Sequence, residues 1–259
     1  MALADGLVVD IDGVLTVSWE PIEGAAAALG ELRRLGVALT FATNTTSRTR
    51  ADVAAALGRA GIEVDAGEIL TAPAATATYL RVAHPDAKVL LINEGDLRDD
   101  LEGIALVPGP PADVVLIGGA GPAFTYGALN TAFGQLIDGA ALVAMHRSLA
   151  WRTDEGMQLD SGGFVHALEE ATGVEAVVMG KPSPSFFEAS LTTLGLPAER
   201  VAMVGDDVRT DVLAAQACGM RGVLVRTGKF RPGSLDGLPA RPDIVVDSFA
   251  DVPDLFTPT

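Results

Sequence analysis

The chain has 259 residues, 49% of them hydrophobic and 20% charged, which is typical of a globular protein with a substantial core. Its 18 basic and 34 acidic residues give a formal net charge of −16, which argues against nucleic acid or an anionic membrane as a partner. A lone cysteine excludes an internal disulfide, and without a signal-like or membrane-spanning apolar run we expect a cytoplasmic protein.

The first predicted element is a short buried strand over residues 6–9 that ends on two carboxylates. Asp10 and Asp12 follow it, and Gly13 allows a sharp turn. Ligands of open α/β sheets bind beyond the carboxyl ends of the strands, so both acids would lie at that edge. Taken alone, the pattern is more typical of a solvated turn than of a site.

A second strand is predicted to end on a polar stretch that begins with Thr43 and Asn44. The predicted elements are an irregular connection over 15–21, a helix from about 22 that stops at 36, a strand over 37–42 and a helix over 48–60. This alternation predicts a parallel sheet, with Thr43 at the same edge as Asp10. The Thr43 hydroxyl could hold a phosphate oxygen, although by itself this stretch is more typical of a helix N-cap.

The middle third is predicted to form a second α/β series. Its clearest strands are predicted over 88–92, 113–117, 141–144 and 176–179, and its clearest helices over 124–137 and 164–172. Residues 118–121 are rich in glycine but lack Gly-x-Gly-x-x-Gly spacing, which argues against a nucleotide loop. His146 follows a strand without a neighbouring carboxylate or cysteine in the sequence, which argues against a metal ligand.

The C-terminal part contains a lysine and three acids at predicted element ends. Lys181 lies between a glycine and a proline before a helix that ends near residue 194, which suits an anion as well as a solvated loop. A strand over 201–205 then ends on Asp206, Asp207 and Asp211, which are costly to crowd together without a cation. The last predictions are strands over 222–225 and 244–246, with Cys218 buried and unreactive near the end of the helix after Asp211.

Together these motifs resemble the haloacid dehalogenase-like hydrolase superfamily. The motifs are Asp10-x-Asp12-Gly13, Thr43-Asn44, Lys181-Pro182 and Gly205-Asp206-Asp207-x-x-x-Asp211. The long interval between the second and third motifs resembles class IIA, the NagD and 4-nitrophenylphosphatase-like enzymes. Within that class, the chain most resembles the phospholysine phosphohistidine inorganic pyrophosphate phosphatase-like branch, on the stretches Leu159-Asp160-Ser161-Gly162-Gly163-Phe164 and Gly180-Lys181-Pro182-Ser183-Pro184-Ser185-Phe186-Phe187. Some members of that branch have serine where this chain has Asp12. The resemblance implies a Rossmann-like parallel-sheet core, residues 1–79 and 180–259, with an inserted α/β cap domain over 80–179.

The resemblance also implies a Mg²⁺-dependent phosphatase of small-molecule phosphate monoesters, with phosphoamidates and pyrophosphate as further candidates. Asp10 would carry an aspartyl-phosphate, and Asp12 would act as general acid and then base. Mg²⁺ would bind the carboxylates of Asp10 and Asp206 and the backbone carbonyl of Asp12. The remaining implied roles are phosphate binding by Thr43, Asn44 and Lys181, and orientation of the water, the metal or Lys181 by Asp207 and Asp211.

Other functions stay open at this point. A phosphotransferase or phosphomutase of the same superfamily is one, although the cap length argues against the usual mutase design. A non-hydrolytic phospho-accepting signalling domain is another, but it would be far shorter. The expected partner is a small phosphorylated substrate, and because cap surfaces often serve as interfaces, a homodimer through the cap is a further alternative.

Overall fold

The computed structural model describes residues 3–153 and 156–256. The chain divides into two compact units. The first unit comprises Met1–Thr43, Arg50–Leu70 and Lys181–Thr259, and the second comprises Asn44–Thr49 and Thr71–Gly180. The predicted domain limits at residues 80 and 180 stay predictions.

Strands and helices alternate along most of the chain. The described strands are β1 (Gly6–Asp10), β2 (Thr16–Val17), β3 (Glu20–Pro21), β4 (Ala38–Thr43), β5 (Ile69–Thr71), β6 (Lys88–Ile92), β7 (Ala105–Val107), β8 (Val114–Ile117), β9 (Ala141–Ala144), β10 (Ala150–Thr153), β11 (Gly156–Leu159), β12 (Ala176–Val178), β13 (Val201–Gly205), β14 (Arg221–Val225) and β15 (Ile244–Val246). The described α-helices are α1 (Ala25–Arg34), α2 (Arg50–Arg59), α3 (Ala72–Ala83), α4 (Tyr126–Ile137), α5 (Ser161–Thr172), α6 (Pro184–Leu194) and α7 (Ala214–Ala217). The longest of these helices have 12 residues, and in the described part of the chain no helix could cross a membrane.

A six-stranded sheet forms the centre of the first unit, in the order β15-β14-β13-β1-β4-β5. The pairings from β15 through to β4 are parallel, with Val9 opposite both Val204 and Phe41. All five residues of β1 are buried, because β1 is central and both faces of a parallel sheet are covered. This sheet confirms the predicted Rossmann-like core, and it brings the carboxyl ends of β13, β1 and β4 side by side.

A five-stranded parallel sheet, in the order β12-β9-β8-β6-β7, forms the centre of the second unit. Alternate side chains of β8 pack on opposite faces, as the pleat of a strand requires. Val114 and Leu116 lie in one apolar cluster, and Val115 and Ile117 lie in another. A second, separate α/β unit is therefore present, as the fold class predicted.

Two short antiparallel pairs were not predicted. In the first, β2 pairs with β3 across Ser18 and Trp19, whose φ values of 51° and 69° fit a type I′ hairpin turn. The prediction of an irregular connection over 15–21 was therefore wrong at these strands, which are too short to show a period. In the second, β10 pairs with β11. The side chain of Trp151, in β10, is outside the described residues.

Candidate active site

The site lies at the carboxyl edge of the first unit's sheet. Asp10 is the last residue of β1, Thr43 is the last residue of β4, and Asp206 directly follows β13. All three residues are buried. Because these strands are neighbours, the edge presents the three side chains together, where ligands of such sheets bind.

Three buried carboxylates form the centre of this site. Asp10, Asp206 and Asp211 each offer one oxygen, and these oxygens all lie within 4.8 Å of one another. The Lys181 ammonium is also buried and contacts Asp10, and its Nζ lies 2.9 Å from Asp211 Oδ1. The single positive charge of Lys181 does not neutralise three carboxylates, so a further cation would be electrostatically favourable at this site.

The pKa values of these groups reflect crowding. Burial raises the pKa of Asp10 to about 7; Lys181 opposes the rise, and Asp211 and Asp206 add to it. Burial likewise raises the pKa of Asp206 to about 6, against a hydrogen bond from the Lys229 backbone. Burial lowers the pKa of Lys181, but Asp10 and Asp211 raise it overall, so Lys181 is charged.

The donor set at Asp206 fits a divalent cation. Asp206 Oδ1 is buried and has no hydrogen-bond partner among the described residues, whereas Oδ2 accepts the Lys229 N–H at 2.7 Å. Gly13 and Gly228 pack against this carboxylate so closely that a Cβ would lie 1.9 Å or 2.0 Å, respectively, from Oδ2. Carboxylate oxygens suit Mg²⁺, so an unpartnered buried oxygen on a residue of this three-acid cluster is consistent with such an ion.

Asp12 lies apart from the three carboxylates of the cluster. Its side chain is exposed, and its Oδ1 accepts the Ser18 N–H at 3.2 Å, from the turn of the β2–β3 hairpin. Its predicted metal contact is a backbone carbonyl, and that contact stays a prediction.

Asp207 and Asp211 occupy different positions. Asp207 caps the π-helical turn Val208–Leu213, where its Oδ1 accepts the N–H groups of Arg209 and Thr210. Burial opposes the change, but these bonds and Lys229 lower the pKa of Asp207. Asp211 Oδ2 accepts the Asp207 N–H at 3.2 Å, and Asp211 itself belongs to the buried cluster. Sequence reasoning gave both acids one orienting role, which stays a prediction.

Of the predicted phosphate-binding residues, Thr43 and Lys181 belong to the first unit and Asn44 to the second. Asn44 Oδ1 lies against Gly180, where a Cβ would be 2.8 Å from it.

Sequence reasoning missed the loop after β14. Thr227 Oγ1 donates to the Gly13 carbonyl at 2.5 Å, and Lys229 contacts Asp206 through its backbone and Asp207 through Nζ, at 3.8 Å. Burial lowers the pKa of Lys229, but Asp206 and the other acids raise it overall. The available indication was the sequence Thr227-Gly228-Lys229, which follows the strand predicted over 222–225 after one intervening residue.

Two predictions outside this site need correction. His146 does have a carboxylate neighbour, because Asp160 Oδ1 lies 3.8 Å from its Nε2 and both residues are buried. The sequence did not indicate this pairing, because the strands β10 and β11 lie between His146 and Asp160 in the chain. Burial lowers the pKa of His146, and Asp160 opposes the change.

Cys218 is half-buried rather than buried, because it lies at the end of the short helix α7.

Comparison with known proteins gives consistent similarities. Residues 7–106 match a family model described as haloacid dehalogenase-like hydrolase, and residues 178–252 match one described as HAD-hydrolase-like. A rat protein named phospholysine phosphohistidine inorganic pyrophosphate phosphatase is 37% identical, over 97% of this chain and 93% of its own. A p-nitrophenyl phosphatase from Archaeoglobus fulgidus has a TM-score of 0.90 at 31% identity, over 97% of this chain and 98% of its own. NagD from E. coli K-12 has a TM-score of 0.88 at 28% identity, with the same coverage.

Proposed function

The chain belongs to the haloacid dehalogenase-like hydrolases, as a phosphatase of class IIA, and we propose that it hydrolyses small-molecule phosphate monoesters with Mg²⁺. The observation that carries the proposal is the buried contact of Asp10 with Lys181, beside Asp206 and Asp211. This contact supports a nucleophilic role for the Asp10 carboxylate, because the adjacent Lys181 ammonium would attract a phosphoryl group.

In the proposed reaction, an Asp10 oxygen attacks phosphorus and the P–O bond to the leaving group breaks. Water then attacks phosphorus of the aspartyl-phosphate, which releases phosphate and regenerates Asp10. Asp12 would protonate the leaving oxygen and then take a proton from that water. Its exposed carboxyl, held by the Ser18 N–H, supports this exchange.

The other residues would bind and orient. Asp10, Asp206 and the Asp12 backbone carbonyl would hold Mg²⁺, which would neutralise charge between the nucleophile and the phosphoryl oxygens. Thr43, Asn44 and Lys181 would bind those oxygens, and the charged state of Lys181 supports its part. Asp207 and Asp211 would keep the loop after β13 and the Lys181 ammonium in place.

Names of similar proteins suggest which substrates to test. The Archaeoglobus neighbour supports an aryl phosphate, and the rat relative supports pyrophosphate and phosphoamidates. Transfer to an acceptor other than water would instead indicate a phosphotransferase or phosphomutase. A cytoplasmic location and a homodimer through the predicted cap stay proposals.

The test is Mg²⁺-dependent hydrolysis of an aryl phosphate by the wild type and two variants. Asp10→Asn should remove nearly all activity, because an amide is not a nucleophile. Asp247→Asn makes the same chemical change at an exposed residue paired with Arg226, and should leave activity intact. If Asp10→Asn retains a tenth of the wild-type rate, the covalent mechanism is wrong.

A further inference from the structure

The segment Asn44–Thr49 directly follows Thr43, yet it belongs to the other unit. Thr43 ends β4 in the first unit, and the chain then passes into the second unit until Thr49. Two residues proposed to bind phosphate, Thr43 and Asn44, therefore stand on the two sides of one peptide bond. Contacts that hold residues 44–49 in place therefore also hold Asn44, the second residue of this pair.

Asn93, directly after β6, hydrogen-bonds to this segment. Its Nδ2 donates to the Thr46 carbonyl at 3.1 Å, and also to the carbonyls of Glu94 at 2.7 Å and Gly95 at 3.2 Å. Its Oδ1 accepts the Gly119 N–H at 2.8 Å. A single half-buried amide thus connects residue 46 to the ends of β6 and β8.

Three glycines let the segment approach this closely. A Cβ on Gly118 would lie 2.0 Å from Asn93 Oδ1, and one on Gly119 would lie 2.3 Å from Thr46 Oγ1. A Cβ on Gly95, whose φ is +94°, would lie 3.0 Å from the Ser47 carbonyl oxygen. This packing gives the glycine-rich stretch after β8 a structural reason that does not involve a nucleotide.

We propose that Asn93 is a positioning residue for the phosphatase reaction. Through the Thr46 carbonyl it holds residues 44–49 against the ends of β6 and β8, and so it restrains the backbone that carries Asn44. The inference rests on the proposed phosphate-binding role of that pair. Loss of the tie leaves the nucleophile and the carboxylate cluster unchanged, and it weakens the binding of the phosphoryl group.

The first test measures the Kd of inorganic phosphate by calorimetry in the presence of Mg²⁺. Asn93→Ala should raise this Kd about tenfold, which corresponds to about 1.4 kcal/mol. KM for an aryl phosphate should rise by a larger factor than kcat falls. Asn130→Ala removes the same group from the exposed surface of α4 and should change neither quantity.

Asn93→Asp separates positioning from simple support of the second unit. It keeps an oxygen for the Gly119 N–H but lacks the donor to the Thr46 carbonyl. If the tie to Thr46 is what matters, Asn93→Asp should weaken phosphate binding as much as Asn93→Ala. If it binds phosphate as the wild type does, the proposed role through Thr46 is wrong.

A second pair of variants disturbs the segment without changing Asn93. Gly119→Ala places a methyl group against Thr46 Oγ1, so it should also raise the phosphate Kd. Adding Thr46→Ala removes that oxygen and should restore the Kd to that of Thr46→Ala alone. This pair carries the test if Asn93→Ala does not fold.

The outcomes distinguish the inference from the proposed function. An unchanged phosphate Kd in Asn93→Ala, or in Gly119→Ala if the first does not fold, overturns the inference even if the wild type hydrolyses phosphate esters. A wild type that hydrolyses no aryl phosphate, pyrophosphate or phosphoamidate overturns the proposed function instead. Phosphate binding can be measured in either case, so a failure of the inference and a failure of the proposed function are distinguishable.

Discussion

The Asp206 carboxylate is held from two sides, and this makes the loop after β14 part of the site. Lys229 donates its backbone N–H to Oδ2, while Gly13 and Gly228 leave space that a side chain would fill. The conformation of this loop therefore decides where Asp206 Oδ1 points.

Gly228→Ala should weaken metal binding without unfolding the protein. The new Cβ would lie 2.0 Å from Asp206 Oδ2 and 2.5 Å from Gly13 Cα, so the carboxylate and the loop backbone must both move. We expect the Mg²⁺ concentration for half-maximal activity to rise about tenfold, or about 1.4 kcal/mol. Gly237→Ala is the matched control, because Gly237 has a similar φ of +64° but no atom within 4 Å of its Cβ position. Equal Mg²⁺ requirements in the two variants would show that only backbone strain matters.

Asp12→Ala should slow both proton transfers but leave Asp10 able to attack. With an activated ester, whose leaving group needs little protonation, phosphorylated protein should therefore accumulate. Intact-protein mass spectrometry after rapid quenching measures it, and the double variant with Asp10→Asn supplies the blank. Absence of a phosphorylated species under every trapping condition would contradict the role given to Asp12.

Whether a site residue could be predicted from the sequence depended on the kind of element that positions it. Asp10 and Asp206 were found because each follows a continuous buried strand, and strand ends of a parallel sheet converge. Lys229 and the Asp160 neighbour of His146 were missed, since a loop and a hairpin bring them into place and neither has a sequence period. Resemblance to a family supplied the roles, which residue chemistry alone left open.

At the scale of elements, length and composition decided what could be predicted. The strands β6, β9, β13 and β15 were predicted with their observed bounds, because each is a short apolar run between breakers. The strands β2, β7 and β10 were not predicted, and length alone does not explain this, because β9 and β15 have only four and three residues. Helix α3 was missed because seven of its twelve residues are buried, so it lacks a polar face that would define a stripe.

The start of α3 offers a prediction on stability. Thr71 Oγ1 accepts the Ala74 N–H at 3.2 Å and donates to Asp100 Oδ2 at 2.8 Å, and both Thr71 and Asp100 are buried. Thr71→Val removes both bonds in nearly the same volume, so it should lower the free energy of unfolding by about 2–3 kcal/mol.

Thr125→Val is the control, because the exposed Thr125 caps α4 through the Ala128 N–H and should cost only about 1 kcal/mol. Denaturant titration of both variants measures the difference. Equal losses of unfolding free energy would show that the hydrogen bond to Asp100 adds nothing to the N-cap hydrogen bond of Thr71.

At the scale of the whole molecule, we expect the cluster to make the free energy of unfolding depend on pH and on Mg²⁺. The folded-state pKa values of Asp10 and Asp206, about 7 and about 6, lie above the ordinary value of 3.8. Between these values the folded state binds more protons than the unfolded state, so its stability falls as pH rises. The contribution present below about pH 4 should be lost by about pH 7 in the metal-free protein.

The effect of Asp206→Asn on Tm should therefore differ in sign between the metal-free protein and the protein with Mg²⁺. In EDTA it should raise Tm relative to the wild type, more at pH 8 than at pH 5, because it removes a crowded charge from a chain of net charge −16. With Mg²⁺ at 100 times its Kd, the wild type should gain about 2.7 kcal/mol, or about 5–10 °C, and the variant less. Calorimetry in EDTA and in Mg²⁺, each at pH 5 and at pH 8, measures both effects. If Mg²⁺ raises Tm equally in the variant and in the wild type, the ion lies elsewhere.

The chain crosses between its two units beside both phosphate-binding candidates of the first unit, at Thr43 and at Lys181. Asp10, the proposed nucleophile, and the other two cluster acids, in contrast, lie in uninterrupted stretches of the first unit. An exchange of the stretch 71–180 alone would therefore leave Asp10, Asp206 and Asp211 in place, but it would also replace Asn93, the residue that holds the Thr46 carbonyl from within that stretch.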